Sequence, residues 1–221
     1  MTSNLVVAIT GASGAPYAVR LLDVLLSAGR EVHLSISPAG QAVLKQELGI
    51  DIDLDRFELA SLLPAEGRQE GLAGMLCRRR SETKRQSGQA GRVHYHHYRD
   101  LMAPIASGSF LTAGMVVCPC SGGTLSGIAH GASENLIQRA ADVHLKERRK
   151  LIVVPRETPL STVYLDNMRR LLEAGAVVLP AMPGFYHGAD SVLDLVDFVV
   201  GRICDQLGVE QTLMRRWGDG E

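Results

Sequence analysis

Residues Met115–Leu160 read MVVCPCSGGTLSGIAHGASENLIQRAADVHLKERRKLIVVPRETPL, and this stretch predicts the fold. It begins with an apolar run that is typical of a buried strand, which we expect to end at Pro119. The small residues of Ser121–Thr124 are typical of a turn at which a helix begins. A second helical pattern runs from about Ser133 to Arg149, and Leu151–Val154 is the next apolar strand. Strand, polar turn, helix and strand in this order indicate an α/β sheet.

The rest of the chain repeats this alternation. Further strand patterns cover Leu5 to Thr10, Glu31 to Ile36, Val93 to Tyr98 and Ala176 to Leu179. Helical patterns cover Tyr17 to Ala28, Pro38 to about Leu48 and Asp190 to Leu207. No internal repeat or linker is visible, so residues 1–221 are predicted to form one domain. Its fold class is α/β, with a doubly wound, mostly parallel sheet in three layers.

Asp51 to Tyr98 is the least regularly patterned part of the sequence, and it includes most of residues 67–99. Within them, Cys77 to Gly91 reads CRRRSETKRQSGQAG, which is basic, polar and contains glycine, so we predict an exposed basic loop. No aromatic residues alternate with these charges, which makes a nucleic-acid patch the weaker alternative. The net charge of the chain is -1, so no overall field attracts nucleic acid or an anionic membrane. We expect neither as a partner.

The four cysteines form no CxxC pair. Their spacing fits neither a disulfide framework nor a zinc site, so we predict free thiols in a cytoplasmic protein. His94 and His96 share one face of a predicted strand, but no third ligand is near in sequence, and we predict no metal. No stretch resembles a signal peptide or is long enough to span a bilayer.

Small polar turns follow several of the predicted strands, at the edge where open α/β sheets bind ligands. The turn Gly11–Gly14 precedes a helix, and free N–H groups at such a helix start bind anions. Ser13 adds a hydroxyl that can cap this helix or bond a phosphate. The turn is not GxGxxG, so a dinucleotide is not indicated. The other turns are Ser37, Ser107 to Ser109, and Ser121 to Thr124.

Four basic residues are candidate phosphate ligands, namely Arg139, Lys146, Arg156 and Arg202. Arg156 stands between two prolines directly after a buried strand, and we expect it to point into a site. The sequence has neither a P-loop lysine motif nor a DDxxD motif. Phosphate chemistry is therefore expected to depend on cationic side chains and helix N-termini, not on a magnesium cage.

Eight segments, in the same order and at fitting spacing, resemble the flavin prenyltransferases of the UbiX type. The resemblance covers nearly the whole chain except about Asp51 to Asp100. The segments are TGASGA (Thr10–Ala15), ASGS (Ala106–Ser109), PCSGGTLSGIAHG (Pro119–Gly131), NLIQRAADVHLKERR (Asn135–Arg149), PRETPL (Pro155–Leu160), NMRRLLEAGA (Asn167–Ala176), PGFYH (Pro183–His187) and DLVDFVVGRI (Asp194–Ile203).

The resemblance implies a flavodoxin-like or Rossmann-like sheet and a large homo-oligomer, commonly a dodecamer. It implies that the protein joins the dimethylallyl group of dimethylallyl monophosphate to N-5 and C-6 of reduced FMN without a metal, and that the product serves UbiD-type decarboxylases. By motif, FMN is held by Gly11, Ala12, Ser13, Ser37, Ser121, Gly122, Gly123, Thr124 and Arg139. The substrate phosphate is held by Ser107, Gly108, Lys146, Arg156, Glu157, Tyr186 and Arg202, some of them from neighbouring subunits. Ser13 lies next to the reacting flavin, and Glu47 and Glu157 assist proton movement.

Three alternatives stay open: an FMN-dependent cysteine decarboxylase of the same fold, an aromatic-acid decarboxylase, and a non-catalytic flavin carrier. Cysteine decarboxylases of this fold use an early catalytic histidine and a PxMN-type motif. Here Asn167-Met168 lacks the preceding proline, and His33 lies within a strand. The chain also departs from the family at Leu101, where some members carry an aromatic residue, and in the expanded, basic 67–99 region.

Overall fold

The computed structural model describes residues 4–63, 71–82, 91–214 and 218. In this part of the chain, six strands form one sheet in the order β3-β2-β1-β4-β5-β6, and every neighbouring pair is parallel. The order reverses between β1 and β4, which makes this the switch point of a doubly wound fold. The predicted fold class is confirmed. The strands are β1 (Asn4–Ile9), β2 (Glu31–Ile36), β3 (Arg92–Tyr95), β4 (Gly114–Cys120), β5 (Leu151–Pro155) and β6 (Val177–Val178).

Helices cover both faces of the sheet. Alternate residues of β1 point to opposite faces, since Leu5, Val7 and Ile9 pack with α1 and α8 whereas Val6 and Ala8 pack with α5 to α7. The helices are α1 (Ala15–Ser27), α2 (Pro38–Leu48), α3 (Leu59–Leu62), α4 (Gly71–Glu82), α5 (Gly122–Ala129), α6 (Leu136–Lys146), α7 (Thr162–Glu173) and α8 (Val192–Leu207), with a short 3-10 helix at Pro104–Ala106. None of the described helices is both long and apolar enough to span a bilayer.

The interpretation of residues 67–99 as an exposed loop is wrong at residues 71–82, whereas the strand predicted at Val93 to Tyr98 is confirmed. Gly71–Glu82 forms α4, because Ala73 and Leu76 are buried in the core that α1 shares. Arg92–Tyr95 forms the edge strand β3, close to the strand predicted at Val93 to Tyr98. Residues 67–70 and 83–90 lie outside the described residues, so the prediction is not tested there.

The basic residues of α4 are ion-pair partners and not a free charged surface. Arg79 Nη2 lies 2.7 Å from a carboxylate oxygen of Asp194, and Arg80 Nε lies 3.2 Å from Asp23. The carboxylates belong to α8 and α1, respectively. These ion pairs therefore attach α4 to α8 and α1.

The expected strand end at Pro119 is also wrong. β4 continues to Cys120, which pairs with Pro155, although the register shifts between Val117 and Cys120. Proline lacks an N–H but keeps its carbonyl. The carbonyl oxygen of Pro119 accepts hydrogen bonds from the backbone N and from Oγ1 of Thr10, at 3.2 and 2.8 Å. The strand therefore stays attached to β1.

Candidate functional site

Two of the predicted small-residue turns lie side by side at the switch point. The Thr10 hydroxyl donates to the carbonyl of Pro119 at 2.8 Å and accepts from the backbone N–H of Ser121 at 2.8 Å. This side chain joins the ends of β1 and β4. Gly11–Gly14 and Ser121–Thr124 are therefore held at one edge of the sheet, where open α/β folds bind ligands.

The first turn already binds an anionic group of the protein itself, the Glu47 carboxylate. The backbone N–H groups of Gly14 and Ala15 donate to the Glu47 carboxylate, at 3.0 and 2.8 Å. The prediction that the start of α1 offers free N–H groups to a phosphate is wrong for these two donors. The Ser13 hydroxyl is half-buried and makes no hydrogen bond to any described residue, so it is available to a ligand.

Ser37 is brought next to this turn by close backbone packing. Its hydroxyl oxygen caps α2 by accepting from Gly40 N at 3.0 Å. A Cβ atom on Gly40 would lie 2.6 Å from the carbonyl oxygen of Ile9, so only glycine lets α2 begin so close to β1. Gly11 likewise lies against Ala39. Gly11, Ser13 and Ser37 of the predicted FMN set are thus gathered in one place.

The second turn starts helix α5. The Ser121 hydroxyl accepts from Thr124 N at 3.4 Å and donates to Thr124 Oγ1 at 3.1 Å. Gly122 and Gly123 are half-buried and exposed, respectively. The positive end of the helix dipole therefore faces a partly open surface that suits an anion.

Arg156 and Glu157 follow β5 at the same edge, and both are exposed. The Arg156 guanidinium makes no hydrogen bond or ion pair with any described residue. The Glu157 carboxylate accepts only from Thr158 N, at 3.2 Å, within the described part of the chain. Burial raises the pKa of the Tyr17 hydroxyl, and the charge of Arg156 acts against this rise. Arg156 is therefore an unneutralised cation beside the two turns.

Tyr164 is a residue of this edge that the sequence analysis did not identify. Its ring lies over α5, since a Cβ atom on Gly122 would come within 3.1 Å of its Cε2 atom. Its hydroxyl is buried and has no hydrogen-bond partner among the described residues. Tyr164 shares the buried face of α7 with Asn167 and Leu171, a helical spacing that predicts a core residue and not a site residue.

The pKa of Tyr164 is raised to about 12, first by burial and then by Cys120 and Glu157, while Arg156 lowers it. The hydroxyl therefore stays protonated at neutral pH and is a hydrogen-bond donor. The two charged residues after β5 are both close enough to act on it.

Tyr186 also lies at this edge. Ala181 N donates to the carbonyl of Pro155 at 3.0 Å, which ties the segment after β6 to the end of β5. The Tyr186 ring packs edge-on against Phe198 of α8, with 5.6 Å between ring centroids. The residue is 58% exposed, so much of its surface remains open to a ligand or a second chain.

Other predicted phosphate ligands lie at the opposite edge. Gly108 packs against the ion pair of Lys146 with Glu147, and Arg149 donates to the carbonyls of Gly108 and Phe110. The carbonyl of Lys150 accepts from Met115 N at the start of β4. The length of β5, about 16 Å for five residues, separates this edge from Arg156. One chain alone does not bring Ser107, Gly108 and Lys146 to Arg156.

Arg139 and Arg202 each have an ion-pair partner within the chain. Arg139 Nε donates to the carbonyl of Ala106 at 3.2 Å, and its Nη1 pairs with Asp142 at 2.9 Å. Arg202 pairs with Asp205 at 3.0 Å, in the second half of α8. Both guanidiniums are partly exposed and have donors left for a ligand.

The histidine pattern around β3 does not form a metal centre. His33 Nδ1 lies 2.9 Å from His96 Nε2, and the His33 and His94 rings stack with centroids 4.9 Å apart. Among the described residues, no group of three or more His, Cys, Asp or Glu is arranged to hold a metal ion. The four cysteines, predicted to be free thiols, form no disulfide.

Comparison with known proteins places this geometry among flavin enzymes. The sequence profile of the family described as Flavoprotein matches residues 1–204. A Pseudomonas aeruginosa protein named flavin prenyltransferase UbiX is 48% identical over 216 residues, which cover 98% of this chain and 94% of that protein. A crystal structure described as AnUbiX in complex with FMN and dimethylallyl pyrophosphate is 35% identical, covers 100% of both chains and superposes with a TM-score of 0.77. A dodecameric FMN-dependent UbiX-like decarboxylase from Escherichia coli O157:H7 is 38% identical, with 97% and 98% coverage and a TM-score of 0.75.

Proposed function

The chain belongs to the Flavoprotein family and, within it, to the UbiX-type flavin prenyltransferases, and from this membership we propose that it prenylates reduced FMN. The reaction joins the dimethylallyl group of dimethylallyl monophosphate to N-5 and C-6 of the flavin. The product then serves UbiD-type decarboxylases. One observation of the site carries the proposal: the unneutralised Arg156 stands beside two small-residue turns and an unpaired tyrosine hydroxyl.

The residues at the switch point fit a flavin phosphate ester. The half-buried Ser13 and Ser37 offer hydroxyl protons, Thr124 offers the hydroxyl that accepts from Ser121, and α5 offers the positive end of its dipole. The bound flavin supplies the electron-rich ring that accepts the allyl group.

The role of the protein is charge stabilisation and positioning. When the allylic C–O bond breaks, negative charge grows on the leaving phosphate, and Arg156 is placed to stabilise it. Glu157, next to this cation, is exposed and can exchange a proton with the reacting groups. Glu47 is held by two backbone N–H groups directly behind Ser13, which fixes the turn that carries this serine.

Neighbouring subunits complete the site in this proposal. Ser107, Gly108 and Lys146 lie away from Arg156 within one chain, and a homo-oligomer, of the dodecameric size named for one relative, supplies them, together with Arg202, from adjacent copies. Exposed apolar side chains support such an assembly, since Met102 is 92% and Phe185 74% exposed. Four cysteines that form no disulfide support the proposed cytoplasmic location.

The alternatives have less support. A cysteine decarboxylase of this fold shares only its architecture with the chain, whereas a relative 48% identical over nearly the full length is named a prenyltransferase. A similar structure from Aquifex aeolicus, 36% identical, is described as a phenylacrylic acid decarboxylase, so aromatic-acid decarboxylation is the second function to assay. A non-catalytic carrier would not need Arg156 to remain unneutralised.

The test is anaerobic incubation of the full-length protein with reduced FMN and dimethylallyl monophosphate, followed by mass analysis of the released flavin. We expect a flavin heavier by one prenyl unit. A parallel reaction with the diphosphate determines which donor is used, since one similar structure holds dimethylallyl pyrophosphate. Tightly bound but unmodified FMN in both reactions would contradict the proposal and favour the carrier or decarboxylase functions.

A further inference from the structure

Tyr164 combines burial, position and an unpaired polar group in a way that the fold alone does not require. The residue is 8% exposed, and its hydroxyl has no hydrogen-bond partner among the described residues. Buried polar groups in native proteins are nearly always paired with protein, water or a ligand, so an unpaired hydroxyl at the edge of a site is a candidate ligand contact. A phenylalanine would fill the same space without this cost.

Two of the groups beside Tyr164 are hydrogen-bond donors. The charge of Arg156 acts on the Tyr164 hydroxyl, and the Tyr164 ring lies over Gly122 at the start of α5. The Arg156 guanidinium can only donate, and so can the backbone N–H groups of this first turn. The Cys120 thiol and the Glu157 carboxylate also act on the hydroxyl electrostatically, but neither makes a hydrogen bond with it. A ligand with several acceptor oxygens, such as a phosphate, would satisfy the arginine, the helix start and the hydroxyl together.

We propose, resting on the function proposed above, that Tyr164 is a ligand-binding residue whose hydroxyl donates to a phosphate oxygen held between Arg156 and the N-terminus of α5. FMN and the allylic donor both carry such a phosphate, so the chemistry is the same for either source. The Tyr164 ring packs closely against the Gly122 backbone, and this contact holds the side chain beside the first turn of α5. Tyr164 thereby positions the phosphate and takes no part in bond breaking.

The test uses Tyr164→Phe in the full-length chain, with dissociation constants measured for oxidised FMN, for riboflavin, and for dimethylallyl monophosphate added to the FMN-loaded protein. We expect the ligand whose phosphate Tyr164 contacts to bind roughly 10- to 100-fold more weakly, as for a lost hydrogen bond to a charged group. Weaker FMN binding with unchanged riboflavin binding assigns the flavin phosphate. Weaker binding of the allylic phosphate alone assigns the substrate.

Tyr95→Phe is the matched control, because this half-buried tyrosine has a partner. Its hydroxyl donates to the carbonyl of Leu54 at 3.0 Å. We expect Tyr95→Phe to lower the melting temperature of the ligand-free protein and to leave all three dissociation constants unchanged. Tyr164→Phe is expected to do the opposite, with the melting temperature of the ligand-free protein unchanged and a smaller rise on adding the affected ligand.

Two results would overturn the inference. One is Tyr164→Phe binding every ligand as tightly as the wild type, and the other is a loss of stability without ligand that matches Tyr95→Phe. The outcome is separable from that of the proposed function. If the wild-type protein fails to prenylate FMN but Tyr164→Phe binds FMN more weakly than the wild type, the proposed function is rejected and the role of Tyr164 in phosphate binding is supported.

Discussion

At the scale of single residues, Arg156 is the side chain on which the proposed chemistry depends most. It is exposed after β5 and unneutralised by any described residue. We expect Arg156→Ala to lower the prenylation rate of the FMN-loaded protein roughly 30- to 1000-fold, as for the loss of one charge-stabilising contact. Anaerobic single-turnover assays measure this rate.

Arg169→Ala is the control for Arg156, because Arg169 is an exposed arginine on α7 that pairs with Glu173 at 2.7 Å. The control should turn over like the wild type. Unchanged turnover of Arg156→Ala would remove Arg156 from the site.

Glu47 is the second residue whose role can be measured, independently of catalysis. Its carboxylate accepts from Gly14 N and Ala15 N at the start of α1. We expect Glu47→Ala to lower the free energy of unfolding by about 1–2 kcal/mol, because it removes an N-terminal cap and a charge that the helix dipole favours. Denaturant unfolding of ligand-free protein measures this loss.

Glu173→Ala removes an exposed carboxylate that pairs with Arg169 on the same helix. It should change stability by less than about 0.5 kcal/mol. Equal effects of the Glu47 and Glu173 substitutions would mean that Glu47 does not support the turn.

At the scale of elements, a buried ionic cluster joins α1 to α8. Arg20 is 3% exposed, and its guanidinium lies 2.7 Å from Asp23 and 2.6 Å from Asp197. Burial raises the pKa of both carboxyls, and the charge of Arg20 opposes the rise. Arg20 is their buried partner, whereas Arg80 and Arg79, 3.2 Å from Asp23 and 3.5 Å from Asp197, are more exposed. Loss of the buried partner is strongly unfavourable for two buried carboxylates.

Arg20→Met is therefore expected to lower the free energy of unfolding by about 3–5 kcal/mol. Lys45→Met breaks a pair with Asp51 in which both side chains are well exposed, and it should cost less than about 1 kcal/mol. Thermal and denaturant unfolding of both variants give the comparison. A loss for Arg20→Met no larger than for Lys45→Met would show that the cluster does not hold the two helices together.

At the scale of the whole molecule, two buried histidines link stability to pH. Burial lowers the pKa of both His33 and His144 to about 4. His33 also faces His94 and His96, which lower its pKa further, and Glu31, which raises it. His144 is held neutral between the carbonyl of Ala140 and the hydroxyl of Thr112, at 2.7 and 2.8 Å.

Between pH 6.5 and 4 the unfolded chain binds protons at these two histidines that the folded chain does not bind. Stability is therefore complete above pH 6.5 and is lost as the pH falls towards 4, by on the order of 3 kcal/mol for His144 and by less for His33, whose charge water screens more. The raised pKa values of Asp23 and Asp197 act in the opposite direction at the acid end. Denaturant unfolding from pH 8 to 4.5 checks this, with a flat region expected from pH 8 to 7. Constant stability down to pH 4.5 would contradict it.

The sequence by itself determined the alternation of strands and helices and the small-residue turns at the strand ends. These depend on local patterns, such as the apolar runs of β1, β4 and β5 and the glycines after them, which have few alternative conformations. The ends of parallel strands meet at one edge, so Gly11, Ser37, Ser121 and Arg156 were predictable as neighbours. The order of the motifs also identified the family.

Only the tertiary structure decided which polar groups are free and which have partners. Glu47 reaches the N-terminus of α1 from 33 residues away, and this contact takes two donors that the sequence offers to a phosphate. The charges of α4, read locally as a solvated loop, pair with α1 and α8. Tyr164 has the spacing of a core residue, and its unpaired hydroxyl appears only where α7 crosses α5. Hydrogen-bond pairing depends on contacts between distant segments, and no local pattern contains that information.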